Sequence, residues 1–186
     1  MSRYSFVVFL MIISVFIANG QEINSNQHKS FPDEWLGVWE GTLHIYNHQN
    51  ILQSIPMSLE NLRTDSADTF QWVIIYGEDK VNGKRDYILK TIDKAKGHYV
   101  VDEKNGILID AYLFENKLIS NFEVMGNQLT SIYERRDDQL IFEIIVNKST
   151  PTQVSGNIKT DGKEDIPEVK SFPLIGYQKA VLTKKP

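Results

Sequence analysis

The sequence predicts an all-β protein, a single antiparallel up-and-down β-barrel of about ten strands. Stretches of alternating apolar and polar residues are separated by turns of two or three residues, and connections this short force neighbouring strands to run antiparallel. No stretch has a convincing helical period. Because a long meander must hide its edges, we expect it to close, with the last strand paired to the first. A sandwich is the alternative, but only one connection is long enough for a Greek-key crossing.

The strand assignment starts at residues 35–46, where one face carries Gly37, Trp39, Gly41, Leu43 and Ile45, and the other carries Glu40, Thr42 and His44. Asn82-Gly83 and Asn105-Gly106 are hairpin signals. From residue 107 the spacing is regular, with strands of about eight residues. The predicted strands are 36–46, 51–62, 70–76, 85–92, 98–102, 107–114, 117–124, 128–135, 139–146 and 176–184.

Three parts of the chain differ from this pattern. Residues 1–20 predict a secretory signal peptide, with Arg3, an apolar run over 6–17 and small residues before a cleavage site near Gly20. Residues 21–34 predict a polar spacer that ends in a short turn of helix against the barrel, and 35–186 form the barrel domain. Within it, residues 147–173 predict a long polar loop, with a short strand pair near 154–159 as an alternative.

The predicted location follows from the leader and from composition. The apolar run is shorter than the roughly 20 residues of a spanning helix, so we expect cleavage and no membrane span afterwards; an uncleaved anchor is the alternative. The chain has no cysteine, which excludes disulfides and a lipoprotein anchor. We therefore expect a secreted or periplasmic protein, and favour a bacterial source.

Charge and motifs exclude several functions. Loss of Arg3 with the leader takes the formal net charge from −4 to −5, which disfavours nucleic acid as a partner. Gly-x-Ser-x-Gly, a phosphate-binding glycine loop and His-Glu-x-x-His are missing from the sequence. His44 and His48 lie in a strand and turn, so their spacing does not predict a metal site. We predict no catalytic or metal-binding residue. The sequence does not predict an oligomeric state.

The expected inner face offers aromatic walls for an apolar ligand. A barrel of about ten strands is wider than side chains fill easily; the alternative is that these residues fill the core. Leu113 competes with Tyr112 for the inner position, and Asp110, Ser120 and Ser131 fall on the same faces unless the register is off by one residue. The candidate ligand-binding residues are Trp72, Tyr87, Tyr112, Phe122, Tyr133 and Phe142.

The Gly-x-Trp-x-Gly motif at Gly37, Trp39 and Gly41 resembles the opening strand of the calycins, which include lipocalins, fatty-acid-binding proteins and nitrobindin-like barrels. The resemblance implies a lipocalin-like barrel with these three residues in structural roles and a basic residue, Lys179 or Lys184, over the tryptophan. It also implies a lumen for a hydrophobic ligand.

Several features of the sequence differ from the individual calycin families. The connection 47–50 is too short for the helical pair of fatty-acid-binding proteins, and 147–173 is not the amphipathic helix of lipocalins. Nitrobindin-like barrels bind haem through a late histidine, but no histidine follows His98, so no cofactor is predicted. We expect an exported barrel that binds a small apolar ligand. The alternatives are a filled barrel that is structural or binds a protein, and an enzyme built on the barrel.

Overall fold

The computed structural model describes residues 31–159 and 165–186. Ten strands close into one antiparallel barrel, in the order β1-β12-β9-β8-β7-β6-β5-β4-β3-β2. This confirms the predicted fold class. The barrel strands are β1 (Gly37–Tyr46), β2 (Ile51–Arg63), β3 (Thr69–Tyr76), β4 (Lys84–Asp93), β5 (His98–Asp102), β6 (Leu108–Phe114), β7 (Lys117–Val124), β8 (Asn127–Arg136), β9 (Gln139–Lys148) and β12 (Leu174–Lys184).

The barrel closes through the predicted pairing of the first strand with the last. In the register of β1 and β12, Trp39 is opposite Lys184 and Leu43 is opposite Ala180. Just beyond the strand, the Lys185 backbone N–H donates to the Val38 carbonyl at 2.8 Å. Closure leaves neither β1 nor β12 with an open edge, which removes the sites at which a sheet would aggregate.

The barrel has two unlike ends. We call the end that carries connections 47–50, 77–83, 103–107 and 125–126 the mouth, and the end that carries 64–68, 115–116 and 137–138 the closed end. The segment Asp33–Trp35 forms one turn of 3-10 helix at the closed end. Phe31 and Trp35 are buried there and meet edge to face, with ring centroids 4.7 Å apart. The predicted turn of helix at the end of the spacer is therefore confirmed.

Residues 147–173 are not a plain loop. Between β9 and β12 the chain forms β10 (Gln153–Ser155) and β11 (Val169–Ser171), which pair as a separate two-stranded sheet. An isolated bridge joins Ile158 to Ile166. We call residues 149–173 the arm. It leaves the barrel at the mouth, where the Ser149 backbone N–H donates to the Gly126 carbonyl.

The predicted signal peptide, residues 1–20, and spacer residues 21–30 lie outside the described residues. Among the residues that are described, no helix is long and apolar enough to cross a membrane.

An ion-pair cluster on the outer wall gives a testable pH dependence. Arg136 donates two hydrogen bonds to Glu134, at 2.8 and 2.9 Å, and these hold the pKa of the Glu134 carboxyl below its usual value. The folded state therefore binds the proton more weakly than the unfolded chain, so the stabilisation is present above the unfolded pKa and is lost as the pH falls through the folded one. Glu134→Gln should lower the melting temperature at neutral pH, and its difference from wild type should shrink below about pH 4.

Thermal melts of both proteins between pH 3 and 8 would measure this effect. Glu123→Gln, at an exposed position on neighbouring β7, is the matched control and should leave the melting temperature nearly unchanged at every pH. A Glu134→Gln difference that stayed constant down to pH 3 would contradict the assignment.

Candidate functional site

The inward side chains of the barrel change from buried to half-buried towards the mouth. Along β9 the inward residues Leu140 and Phe142 are buried, whereas Ile144, nearer the mouth, is only half-buried. Along β1 the same change occurs between Leu43 and Ile45. The inner wall at the mouth is therefore apolar and still reached by solvent. We call this half of the lumen the cup. Its wall includes Ile45, Ile55, Tyr87, Ile109, Phe122 and Ile144.

Three aromatic residues form the floor of the cup. The rings of Trp72 and Tyr133 meet edge to face at 5.1 Å, and Tyr133 packs on Phe142 at 4.9 Å. All three side chains are buried. The floor brings together β3, β8 and β9, and thus joins opposite sides of the barrel. This packing separates the cup from the filled half of the lumen below it.

The polar groups of the cup include three tyrosine hydroxyls and the amide of Gln178, which lies opposite Ile45 and Ile144. Burial raises the pKa of Tyr133 well above its usual value, and also raises that of Tyr76. The pKa of Tyr87 is raised by burial first and then by the nearby Glu103 carboxylate. All three phenols therefore stay protonated at neutral pH, and the Tyr87 hydroxyl donates to the Glu103 carboxylate.

The structure places five of the six candidate ligand residues on the inner face. Trp72, Tyr133 and Phe142 form the floor, while Tyr87 and Phe122 lie on the wall. Tyr112 does not join them, because it is exposed on the outer surface and stacks on His98 at 4.8 Å. Its expected inner position is wrong. Its neighbour Leu113 packs against the core instead, which was the alternative that the sequence left open.

Two further expectations about faces have opposite outcomes. Ser120 is buried on the inner face, and Ser131 lies directly opposite it on β8, as predicted. Asp110 lies on the outer face, where its carboxylate is 2.6 Å from His98 Nε2, so its expected inner position is wrong. Asp110 and Tyr112 are two residues apart on β6, so they share one face of the strand, and a wrong assignment of that face makes both expected positions wrong.

The motif residues sit at the closed end. Trp39 is fully buried, and its Nε1 donates to the Trp35 carbonyl at 2.8 Å. Lys184 Nζ lies 5.6 Å from the ring centroid of Trp39, and the Arg135 guanidinium lies 5.0 Å from it. The expected basic residue of the final strand is therefore Lys184. Arg135 lies two residues after Tyr133, on the same face of β8.

Both glycines of the motif allow close approach. A Cβ on Gly41 would lie 2.2 Å from the Val181 carbonyl oxygen, and one on Gly37 would lie 2.5 Å from Lys184 Cε. Gly37 also has φ +132°, a conformation that favours glycine. Their structural roles follow from these contacts.

Two pockets lie outside the cup. One of about 1310 Å³ is at the closed end, between Trp35, Tyr99, Arg135 and Lys184 among others. The second, of about 390 Å³, is on the outer wall along β1 and β12, beside His44 and Lys179. Within the described residues, no group of three or more histidine and acidic side chains is placed to hold a metal ion.

Comparison with known proteins gives little further information. No protein-family model matches the sequence, and no curated protein matches it. Among solved structures, a crystal structure of a mutant of the fluorescent protein UnaG is similar, with a TM-score of 0.41 and 10% sequence identity over 83% of this chain and 99% of that one. The barrel is calycin-like by its own strand order and closure.

Proposed function

We propose that the protein binds a small apolar molecule in the cup. The observation that carries the proposal is the partly exposed apolar inner wall, formed by residues such as Ile45, Phe122 and Ile144. Isolated apolar side chains at a surface are common, but a concave wall of them is typical of ligand sites. Covering this wall with apolar ligand surface would stabilise the complex by roughly 25 cal/mol per Å² before ordering costs.

The chemistry of the cup narrows the ligand class. The floor and wall residues described above carry no formal charge, and charge begins at the rim with Arg85 and Glu103. A charged group placed deep in the cup would lose hydration without an ionic partner. We therefore propose that the buried part of the ligand is neutral and that any charged group of it lies at the rim.

We also propose that this binding takes place after export, in a secreted or periplasmic setting. The apolar run over 6–17 and the small residues before Gln21 support a cleaved leader. N-terminal sequencing of the protein recovered from the secreted or periplasmic fraction tests this, because an intact Met1 would contradict it.

The chain's tryptophans provide a test of cup binding. Trp72 lies in the floor, whereas Trp35 and Trp39 lie at the closed end, so ligand should change the fluorescence of Trp72 most. We expect titration with fatty acids, retinoids and hydrophobic dyes to give a saturable change that Trp72→Phe largely removes. Trp39→Phe, if it folds, should keep most of the change.

A pair of wall variants makes the test independent of tryptophan. Ile144 faces the cup and Ile145 faces outward, and both are half-buried on the same strand. Ile144→Gln should weaken binding about tenfold, and Ile145→Gln should leave it nearly unchanged. Equal effects of the two variants would refute cup binding, as would no response to any ligand together with no co-purified small molecule in native mass spectrometry.

A filled barrel that is structural or binds a protein is the second candidate. It is favoured by the buried inward side chains below the cup and by the position of both pockets outside the cup. The same titration separates the two, because this reading predicts no saturable ligand.

A further inference from the structure

The exposed apolar side chains of the described chain are concentrated at one end of the molecule. They lie in the mouth connections or at the strand ends next to them, and the arm carries several more. At the closed end, the comparable exposed residues are Leu62, Ile92 and Phe114. We call six of the exposed residues the mouth ring. Two lie in mouth connections, two at the mouth ends of β2 and β6, and two in the arm: Leu52, Val81, Leu108, Met125, Val154 and Phe172.

The side chains of the mouth ring project strongly. Met125 is 94% exposed and Val81 is 84% exposed, values that leave nearly the whole side chain in water. Both sit at turns between strands, where polar residues and glycine are the ordinary choice. Exposed apolar surface grouped in this way marks an interaction site.

We propose that the mouth ring docks the protein on a lipid surface, with the cup facing the bilayer. The ring residues lie in or beside the four mouth connections and in the arm, so they are spread around the whole opening. A flat apolar layer contacts all of them at once, whereas a globular partner would bind one side of the ring. Shallow insertion of apolar side chains at the acyl boundary is a known mode of membrane attachment.

The charges around the mouth indicate a neutral lipid surface. Lysines and acidic residues alternate in these connections, as at Asp79 and Lys80, at Glu103 and Lys104, and at Glu168 and Lys170. No basic cluster is present to attract anionic lipid. Docking would therefore depend on apolar contact, on zwitterionic phospholipid, and would change little with salt.

Single-site labelling tests the orientation directly. The chain has no cysteine, so Val81→Cys, Met125→Cys and Phe114→Cys each carry one environment-sensitive dye at a known end. On phosphatidylcholine vesicles we expect a blue shift and quenching by brominated lipid for Val81→Cys and Met125→Cys, but not for Phe114→Cys. Equal dye responses at the mouth and at the closed end, or a response of Phe114→Cys alone, would overturn the proposal.

Vesicle sedimentation provides the second arm. The double variant Val81→Asp with Met125→Asp should bind phosphatidylcholine vesicles about tenfold more weakly than wild type. The control variant Ile92→Asp with Phe114→Asp, at two exposed apolar residues of the closed end, should bind them as wild type does. Three outcomes would overturn the proposal. The two double variants could lose binding equally, or binding could require phosphatidylglycerol. A concentration-dependent blue shift of the labelled protein without vesicles would instead indicate a second copy on the ring. Ligand titration in solution is independent of this result, so failure here leaves the cup proposal to its own test.

Discussion

Trp39→Ala should destabilise the protein by about 3–5 kcal/mol, the range found when large aromatic side chains are removed from cores. Trp39 is fully buried at the closed end, and its loss would leave a cavity that the rigid barrel closes poorly. It would also leave the Trp35 carbonyl without its donor and would remove the ring beneath Arg135 and Lys184. Urea unfolding followed by circular dichroism would measure the change in free energy.

A substitution at the protein surface is the control for Trp39→Ala. Met125→Ala, at a fully projecting side chain, should change the free energy of unfolding by no more than about 0.5 kcal/mol. If Trp39→Ala were no more destabilising than Met125→Ala, the closed end would not depend on this tryptophan.

Gly41→Ala should be the second severe substitution, with a cost of about 3 kcal/mol or more, at the upper limit for overpacked sites. The added Cβ would lie 2.2 Å from the Val181 carbonyl oxygen and 3.1 Å from Leu182 Cδ2. The nearest atom is backbone of a paired strand, so the clash is relieved only by separating β1 from β12. Because this pairing closes the barrel, we also expect faster amide exchange in both strands.

Gly176→Ala is the matched control for Gly41→Ala. Gly176 lies in β12 and, like Gly41 in β1, is on the inner face. A Cβ on Gly176 would meet Val146 side-chain atoms at 3.5 Å, an ordinary contact. This substitution should be neutral or slightly stabilising. Similar destabilisation by both substitutions would show that loss of glycine itself, rather than the contact with Val181, is responsible.

The sequence predicts the barrel because its strands alternate clearly and its turns carry strong local signals. Asn82-Gly83 and the regular spacing after residue 107 place most strands within a few residues of their observed limits. Closure follows from the need to hide strand edges. These features are local in the chain, so they can be read without knowledge of tertiary packing.

The errors lie where the local signal is ambiguous. Residues 111–114 of β6 are all apolar, so periodicity cannot choose between Tyr112 and Leu113. In the structure, Ala111 is paired with Tyr99 and both are buried, so Ala111 and Leu113 face inward and Tyr112 faces outward. Within the arm, a short strand pair near 154–159 was an alternative to the predicted loop, but the partner strand β11 was not predicted. β10 and β11 are too short to show a period and depend on pairing between distant residues. The exposure of the cup wall depends on how the inner faces of all ten strands pack together, so it cannot be predicted from the sequence of any single strand.

The position of β12 between β1 and β9 has a consequence for folding. The pairing of β12 with β1 joins residues near the two limits of the domain, whereas most other pairings join consecutive strands. Closure of the barrel should therefore be a slow step in folding. A chain that stopped after Lys148 would keep nine barrel strands but expose the edges of both β1 and β9. Completion must therefore await synthesis of the last segment, and premature truncation should yield aggregates rather than a smaller native domain.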